Sequence, residues 1–217
     1  MTGVAVPRRA TLERRVRLLV AATIAYNVIE AVVAITAGAA ASSTALIGFG
    51  LDSVIEVSSA AAVAWQFAGT DPERREKTAL RVIAVSFFAL AAYVTVESVR
   101  ALAGGAEAGH STAGLVLAAL SLAVMPGLSW AQRRAGRELG SRSAVADSKQ
   151  TLLCTYLSAV VLAGLAVNSL LGWSWADPAA ALIIAAVALK EGRDAWRGDT
   201  CCAIPAAAAS PACSCCG

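Results

Sequence analysis

Long apolar stretches separated by short polar segments run along most of the chain. Five of them lie at about 18–40, 45–68, 80–102, 112–131 and 152–171, and a shorter one lies at 179–189. A transmembrane helix needs about 20 apolar residues to cross about 30 Å of hydrocarbon, so the first five each predict a membrane-spanning helix. The sixth reaches that length only if Trp173 and Trp175 lie at one interface and the helix continues toward Trp196. Pro178 suits the first turn of such a helix, where its missing N–H costs nothing.

Composition supports the same class of protein. Hydrophobic residues make up 58% of the 217 residues and charged residues only 15%, whereas soluble domains carry roughly 25% charge. Six spans leave only short connections, which disfavours a soluble enzyme with a separate catalytic domain. A net charge of +3 with dispersed basic residues disfavours nucleic-acid binding. We therefore predict an all-α, polytopic protein in a lipid bilayer.

The N-terminal segment also has features of a secretory signal sequence. It combines a basic head, an apolar stretch and the small-residue run AGAAAS. Glu30 interrupts the apolar stretch, however, and the stretch is longer than the apolar region of a normal signal. We therefore interpret it as an uncleaved first span.

Basic residues fall on alternate connections between the spans. They precede span one, separate spans two and three, separate spans four and five, and follow span six. The connections 41–44, 104–111 and 172–177 contain no Lys or Arg. The positive-inside rule then predicts that both termini are cytoplasmic and that the number of spans is even, which independently supports the sixth. We expect a basic N-terminus at 1–17, six transmembrane helices within 18–196, and a Cys-rich, disordered cytoplasmic tail at 197–217.

Four carboxylates lie within predicted spans: Glu30, Asp52, Glu56 and Glu97. Ionisable groups are costly in a membrane and are candidates for function. Asp52 and Glu56 are four residues apart, which puts them on one helix face about 6 Å apart along its axis. Facing the bundle interior, they could hold a divalent cation or share a proton. The alternative is a structural polar pair bonded to neighbouring helices.

The start of span five supplies possible partners for this pair. Asp147, Gln150 and Cys154 follow helical spacing and would share one face. Gln offers a carbonyl oxygen, and Cys offers a soft thiolate once a metal lowers its pKa. Small polar residues also join helices in membranes without binding a metal. Together with Asp52 and Glu56, Gln150 and Cys154 would complete a four-ligand set.

The segments ALIGFGLDSVIEVSSA and WADPAAALIIAAVAL and the run AD-x-x-Q-x-x-x-C resemble the cation diffusion facilitator family over roughly residues 15–195. In that family, D/H-x-x-x-D on span two and H/D-x-x-x-D on span five form a tetrahedral transport site. The resemblance implies that Asp52, Glu56, Gln150 and Cys154 are the metal ligands. It also implies proton-coupled export from the cytoplasm and a homodimer. We expect a protein of the bacterial plasma membrane.

The chain departs from the family pattern in three ways. Gln150 stands where His is common, and Cys154 stands where Asp is usual. We also expect a variant that lacks the cytoplasmic domain that commonly follows span six, with a short Cys-rich tail in its place. Oxygen ligands favour Mn²⁺ and a thiolate favours Zn²⁺ or Cd²⁺. We expect a zinc-like ion, with Cd²⁺, Mn²⁺ and Co²⁺ as alternatives, carried as substrate, and no tightly bound cofactor.

The tail contains five of the six cysteines: Cys201, Cys202, Cys213, Cys215 and Cys216. On the cytoplasmic side they would be reduced, so a disulfide framework is not expected. Clustered thiolates could collect soft metals near the pore mouth. The alternative is an Ala/Pro-rich disordered end whose thiols have no specific role.

Two acidic residues near the predicted site have alternative interpretations. Glu30 could accept a proton beside the metal, or form a structural hydrogen bond to Asn27 or to a neighbouring helix. Asp147 could join the metal shell or cap the start of helix five.

Three other polar residues have structural interpretations. We expect Asp177 to cap helix six. We also expect Glu97 to pair with Arg100 at an interface, and His110 to be solvated in a loop.

The sequence therefore predicts a metal transporter that works by alternating access around a site near the midplane. Protons would compete for the ligands and release the ion, which gives antiport. A non-transporting membrane protein that binds metal as a sensor or scaffold is the main alternative. A membrane enzyme using Asp52 and Glu56 as acid and base is less favoured. The chain also has no phosphate-binding G-x-x-x-x-G-K-[ST] loop.

Overall fold

A computed structural model describes residues 5–67, 72–104, 108–139 and 142–197. These residues form six α-helices: α1 Ala5–Ala41, α2 Thr44–Phe67, α3 Pro72–Leu102, α4 Thr112–Leu139, α5 Arg142–Leu171 and α6 Ala176–Arg197. No β-strand occurs in these four segments. The all-α prediction is confirmed for these residues, and each predicted span coincides with one helix, except that residue 68 of the second span lies outside the described residues. Several helices extend beyond their apolar stretches, since a helix satisfies its own backbone in water as well as in lipid.

Four of the six helices are long and apolar enough to cross a membrane by length and composition. Their apolar portions are Arg14–Ala41, Arg81–Leu102, Thr112–Ala135 and Thr151–Leu171. The helix predicted from the weak sixth stretch is present as α6, with Pro178 in its first turn and Trp196 near its end. Trp173 and Trp175 precede it as exposed, stacked rings whose centroids are 5.5 Å apart.

Three of the helix connections meet at one end of the bundle. The backbone N–H of Gly109 donates to the carbonyl of Ala41 at 2.7 Å, which joins the α3–α4 and α1–α2 connections. Asn168, near the end of α5, donates to the carbonyl of Ala108 at 2.8 Å. We call this the loop end. The opposite end, where α1 begins and α6 finishes, is the termini end.

The bundle is apolar outside and partly polar inside, the reverse of a soluble protein. Large exposed side chains such as Val85, Val96, Leu120 and Ile183 cover its outer faces, as expected of helices that face lipid. The core contains Phe49, Leu46 and Met125, but it also contains buried acids, amides and hydroxyls. These interior polar groups include the predicted site.

Glycines let the helices that carry the site approach closely. A Cβ at Gly50 would lie 2.8 Å from Ile35 Cγ1, so α1 and α2 are nearly in backbone contact there. A Cβ at Gly164 would lie 2.7 Å from the Ala180 Cβ, between α5 and α6. Small residues commonly allow such contacts in membrane bundles. The close α1–α2 contact brings Glu30 and Asn27 beside the acids of α2.

Candidate metal site

Asp52 and Glu56 lie one turn apart on α2 and both point into the bundle. Their exposed fractions are 8% and 7%, so the prediction of an interior acid pair agrees with the fold. Glu56 Oε2 accepts a 2.7 Å hydrogen bond from Asn27 Nδ2 on α1. Among the described residues, none donates a hydrogen bond to the Asp52 carboxylate. The two acids therefore differ in how far the protein itself satisfies them.

Glu30 lies at the centre of the polar interior, with none of its surface exposed. Ser53 of α2 donates to its Oε2 at 2.7 Å, and Ser121 of α4 donates to its Oε1. The Cys154 thiol of α5 donates to Oε2 at 3.5 Å. Of the alternatives for Glu30, the structure shows the hydrogen bond to neighbouring helices. Asn27, the other suggested partner, bonds to Glu56 instead.

Cys154 brings α5 to the same region. Its side chain is 1% exposed and it forms no disulfide. The carboxylates of Glu56, Glu30 and Asp52 are close enough to act on the thiol electrostatically. Two carboxylates of α2 and a thiol of α5 thus face one interior region, with Glu30 between the helices.

The remaining predicted ligands are only partly covered by the structure. Gln150 and Asp147 lie in α5, but their side chains are outside the described residues, as are all five tail cysteines, 201–217. Within the described part of the chain, no group of three or more His, Cys, Asp or Glu side chains is arranged to hold a metal ion. The four-ligand set remains a prediction.

Asp147 does not cap helix five as one interpretation proposed. The helix begins at Arg142, so Asp147 lies in its second turn, whereas an N-cap residue precedes the first turn. The apolar pattern began later than the helix because the polar first turns of α5 carry no hydropathy signal.

A small polar cleft opens beside Glu56. Asn27 and Thr23 of α1 and Thr151 of α5 line it together with Glu56, and the space inside is about 10 Å³, room for about one water. Because α1 runs from the termini end, Thr23 and Asn27 lie nearer that end than Glu30 does. Glu56 is likewise nearer that end than Asp52. The cleft therefore lies on the termini side of the acid cluster.

Gln132 of α4 fixes the walls of this cleft. Its Nε2 donates to Thr23 Oγ1 at 3.1 Å, and its Oε1 accepts from Thr151 Oγ1 at 3.0 Å. Gln132 is only 2% exposed. A single amide thus joins α1, α4 and α5 and holds both threonine hydroxyls in place.

Asp177 caps a different helix from the one predicted. It is fully buried, and its Oδ1 accepts from Ser43 Oγ at 2.5 Å. Its Oδ2 accepts from the backbone N–H of Ala45 at 3.3 Å, in the first turn of α2. A carboxylate there satisfies free N–H groups and complements the helix dipole. The prediction that Asp177 caps helix six is wrong, and the residue instead fixes α6 to the start of α2.

Sequence reasoning missed several polar residues of the interior. It considered Asn27 only as a partner of Glu30, and it did not consider Ser53, Ser121 or Gln132. A signal existed for one group, because Thr23, Asn27 and Glu30 follow helical spacing on α1. The two peripheral predictions are confirmed: Glu97 pairs with Arg100 at 2.8 Å, and His110 is exposed.

The fold and its interior define a helical membrane protein with acids buried between its helices. The family model described as the cation efflux transmembrane domain matches residues 20–197. The chain belongs to this family, and it is therefore an integral membrane protein and a metal cation transporter in the general sense. No curated protein matches the chain.

Proposed function

We propose that the protein exports a divalent, zinc-like metal ion from the cytoplasm in exchange for protons, by alternating access. The observation that carries this proposal is the buried arrangement of Asp52 and Glu56 on α2 with Cys154 on α5. Charged groups inside a membrane bundle are costly to bury without a counter-charge. A divalent cation would provide that charge.

The proposed ligands are Asp52, Glu56, Gln150 and Cys154, with Asp147 and the tail cysteines as possible auxiliary ligands. Two carboxylates and an amide oxygen suit Mn²⁺ and Co²⁺, while the thiolate suits Zn²⁺ and Cd²⁺. The buried thiol is the feature that favours the softer ions. We regard the ion as cargo, bound for one transport cycle and then released.

Proton coupling would follow from the same groups. A thiol must lose its proton to bind a metal, and the Cys154 thiol already donates its hydrogen to Glu30. When the bundle opens outward, protons returning to the carboxylates and thiolate would displace the ion. The reprotonated groups would then carry protons inward, which is antiport.

The proposed topology has six spans, both termini in the cytoplasm and a homodimer as the working unit. The connections without Lys or Arg are the ones that meet at the loop end, which supports a non-cytoplasmic loop end. Within the bundle, α2 packs against α1, α3, α5 and α6. Neighbouring helices rather than lipid would therefore surround its acids.

A flux assay in proteoliposomes tests the proposal. Zn²⁺, Cd²⁺, Mn²⁺ and Co²⁺ are compared side by side with and without a pH gradient. We expect Zn²⁺ and Cd²⁺ to move fastest, and the gradient to drive them. Asp52→Ala should abolish flux, whereas the control Glu97→Ala should not, because Glu97 pairs with Arg100 away from the site.

Each component of the proposal can fail separately in this assay. If no divalent ion moves, the transport function is wrong, and binding without flux would indicate a sensor or scaffold. Flux that ignores the pH gradient would contradict antiport alone. Faster movement of Mn²⁺ than of Zn²⁺ would contradict the zinc-like preference.

A further inference from the structure

The amide oxygen of Asn27 is buried and lacks a hydrogen-bond partner. Asn27 is 2% exposed. Within the described residues, only its Oδ1 and Ser98 Oγ are buried side-chain polar atoms without a partner. Buried polar atoms are almost always hydrogen-bonded, so an exception calls for an explanation such as an absent ion or water. Of these two atoms, only the Asn27 oxygen belongs to a residue that lines the polar cleft.

The chemistry of Glu56 fixes the orientation of this amide. Asn27 Nδ2 donates to Glu56 Oε2 at 2.7 Å. Turning the amide over would place two oxygens against each other, which only a proton or a cation between them could stabilise. The donor side of Asn27 is therefore committed to Glu56, and its acceptor side is available to a ligand.

The cleft provides a space for one small ligand, lined by four polar and four apolar residues. It holds about one water-sized sphere. Its polar lining residues are Asn27, Glu56, Thr23 and Thr151. Carboxylate and carbonyl oxygens are the ligands that hard divalent cations prefer. Because Gln132 holds both threonines, these walls are set in advance.

We propose that Asn27 and Glu56 form an access site, at which a divalent cation binds before it reaches Asp52 and Cys154. This inference rests on the proposed function. The cleft lies on the termini side of the acid cluster, so an ion arriving from that end meets it first. Glu56 belongs to both sites, and the ion can therefore move one helical turn toward Asp52 without leaving this carboxylate.

Equilibrium binding of Mn²⁺ to the purified full-length chain tests the access site, with free Mn²⁺ measured by electron paramagnetic resonance. Asp52→Ala serves as the background, because it removes the deeper site and should leave the access site able to bind. Adding Asn27→Leu, which keeps the branched shape but removes the amide oxygen and nitrogen, should weaken Mn²⁺ binding about tenfold. Adding Asn27→Asp, which keeps the oxygen but removes the donor, should preserve it.

The two substitutions distinguish two roles of Asn27: an oxygen ligand of the ion, and a hydrogen-bond donor to Glu56 only. Equal losses in Asn27→Leu and Asn27→Asp would overturn the proposal, since both lack the donor. Unchanged binding in Asn27→Leu, or no Mn²⁺ binding in the Asp52→Ala background, would also overturn it. Asn168→Leu is the matched control, because Asn168 bonds to Ala108 at the loop end, and it should bind Mn²⁺ as its background does. This test measures binding and not transport. The access site can therefore prove wrong while the wild type still transports metal, and the transport proposal can prove wrong while the access site still binds Mn²⁺.

Discussion

Two buried acids of this protein, Asp177 and Asp52, differ in how many hydrogen bonds their carboxylates accept. Asp177 at the loop end receives hydrogen bonds on both carboxylate oxygens, and these bonds join α6 to α2. Asp52 receives none from the described residues, although it is nearly as buried. A polar group that holds helices together is satisfied by the protein, whereas a group that binds cargo must keep its oxygens available.

Glu30 and Glu56 fall between these extremes. Glu30 accepts from three helices and resembles Asp177 in being satisfied, yet one of its donors is the candidate ligand Cys154. Glu56 accepts from Asn27, whose own oxygen lacks a partner. Protein donors thus reach both Glu30 and Glu56, whereas none of the described residues donates to Asp52. Asp52 is therefore the acid whose oxygens remain available to the ion we propose.

The largest expected effect is the loss of metal flux at Asp52, and the matching substitution at Asp177 should affect stability instead. Asp52→Asn should reduce metal flux at least about 100-fold, the upper range for losing a group that supports a metal site, with little change in melting temperature. Asp177→Asn should lower the melting temperature far more than the flux per folded molecule. Both are measured in the proteoliposome assay and by thermal unfolding in detergent. If Asp52→Asn mainly lowered the melting temperature and Asp177→Asn mainly lowered the flux, the contrast between these two acids would be wrong.

The next effect concerns Glu30. Glu30→Ala should destabilise the protein by about 3 kcal/mol, because it leaves a cavity and deprives Ser53, Ser121 and Cys154 of their acceptor. Glu30→Gln keeps the volume and one acceptor oxygen, so it should be milder in chemical denaturation. A Glu30→Gln variant that is stable but cannot transport would assign Glu30 a part in the transport cycle.

The Asp177 cap at the loop end should contribute less to the free energy of unfolding than Glu30 does. Asp177→Ala should cost about 2 kcal/mol of unfolding free energy, because the Ser43 hydroxyl and the Ala45 N–H lose their acceptor. Ser43→Ala should cost about half of that, since the backbone N–H of Ala45 keeps its partner. Equal stability of the Asp177→Ala variant and the wild type would show that the cap does not hold α6 to α2.

The smallest effect on stability is expected at the ion pair between Glu97 and Arg100. Glu97→Ala removes an exposed ion pair with Arg100 and should change the unfolding free energy by less than about 0.5 kcal/mol. The same denaturation measurement checks it. A large loss there would mean that acids outside the polar interior also stabilise the bundle, and the contrast between the two kinds of acid would be weaker.

The sequence determined the helices and the acids they carry. A helix in lipid must satisfy its own backbone and have a long apolar stretch, so hydropathy predicted five helices and put Asp52 and Glu56 inside one of them. The sixth also needed the interfacial tryptophans and the distribution of basic residues. Helical spacing also predicted the Glu97–Arg100 pair, because residues three positions apart are neighbours on the surface of a helix. These are local properties, and a local pattern can predict them.

Only the tertiary structure decided which partner each buried polar group takes. Local reasoning suggested Asn27 as a partner of Glu30 and helix six for Asp177, but Asn27 bonds to α2 and Asp177 caps α2. Inside a membrane bundle, a buried acid is satisfied by whichever donors the packed helices bring to it. Those donors depend on the axial positions and rotations of the helices, which side-chain packing sets and which no periodicity along one helix encodes.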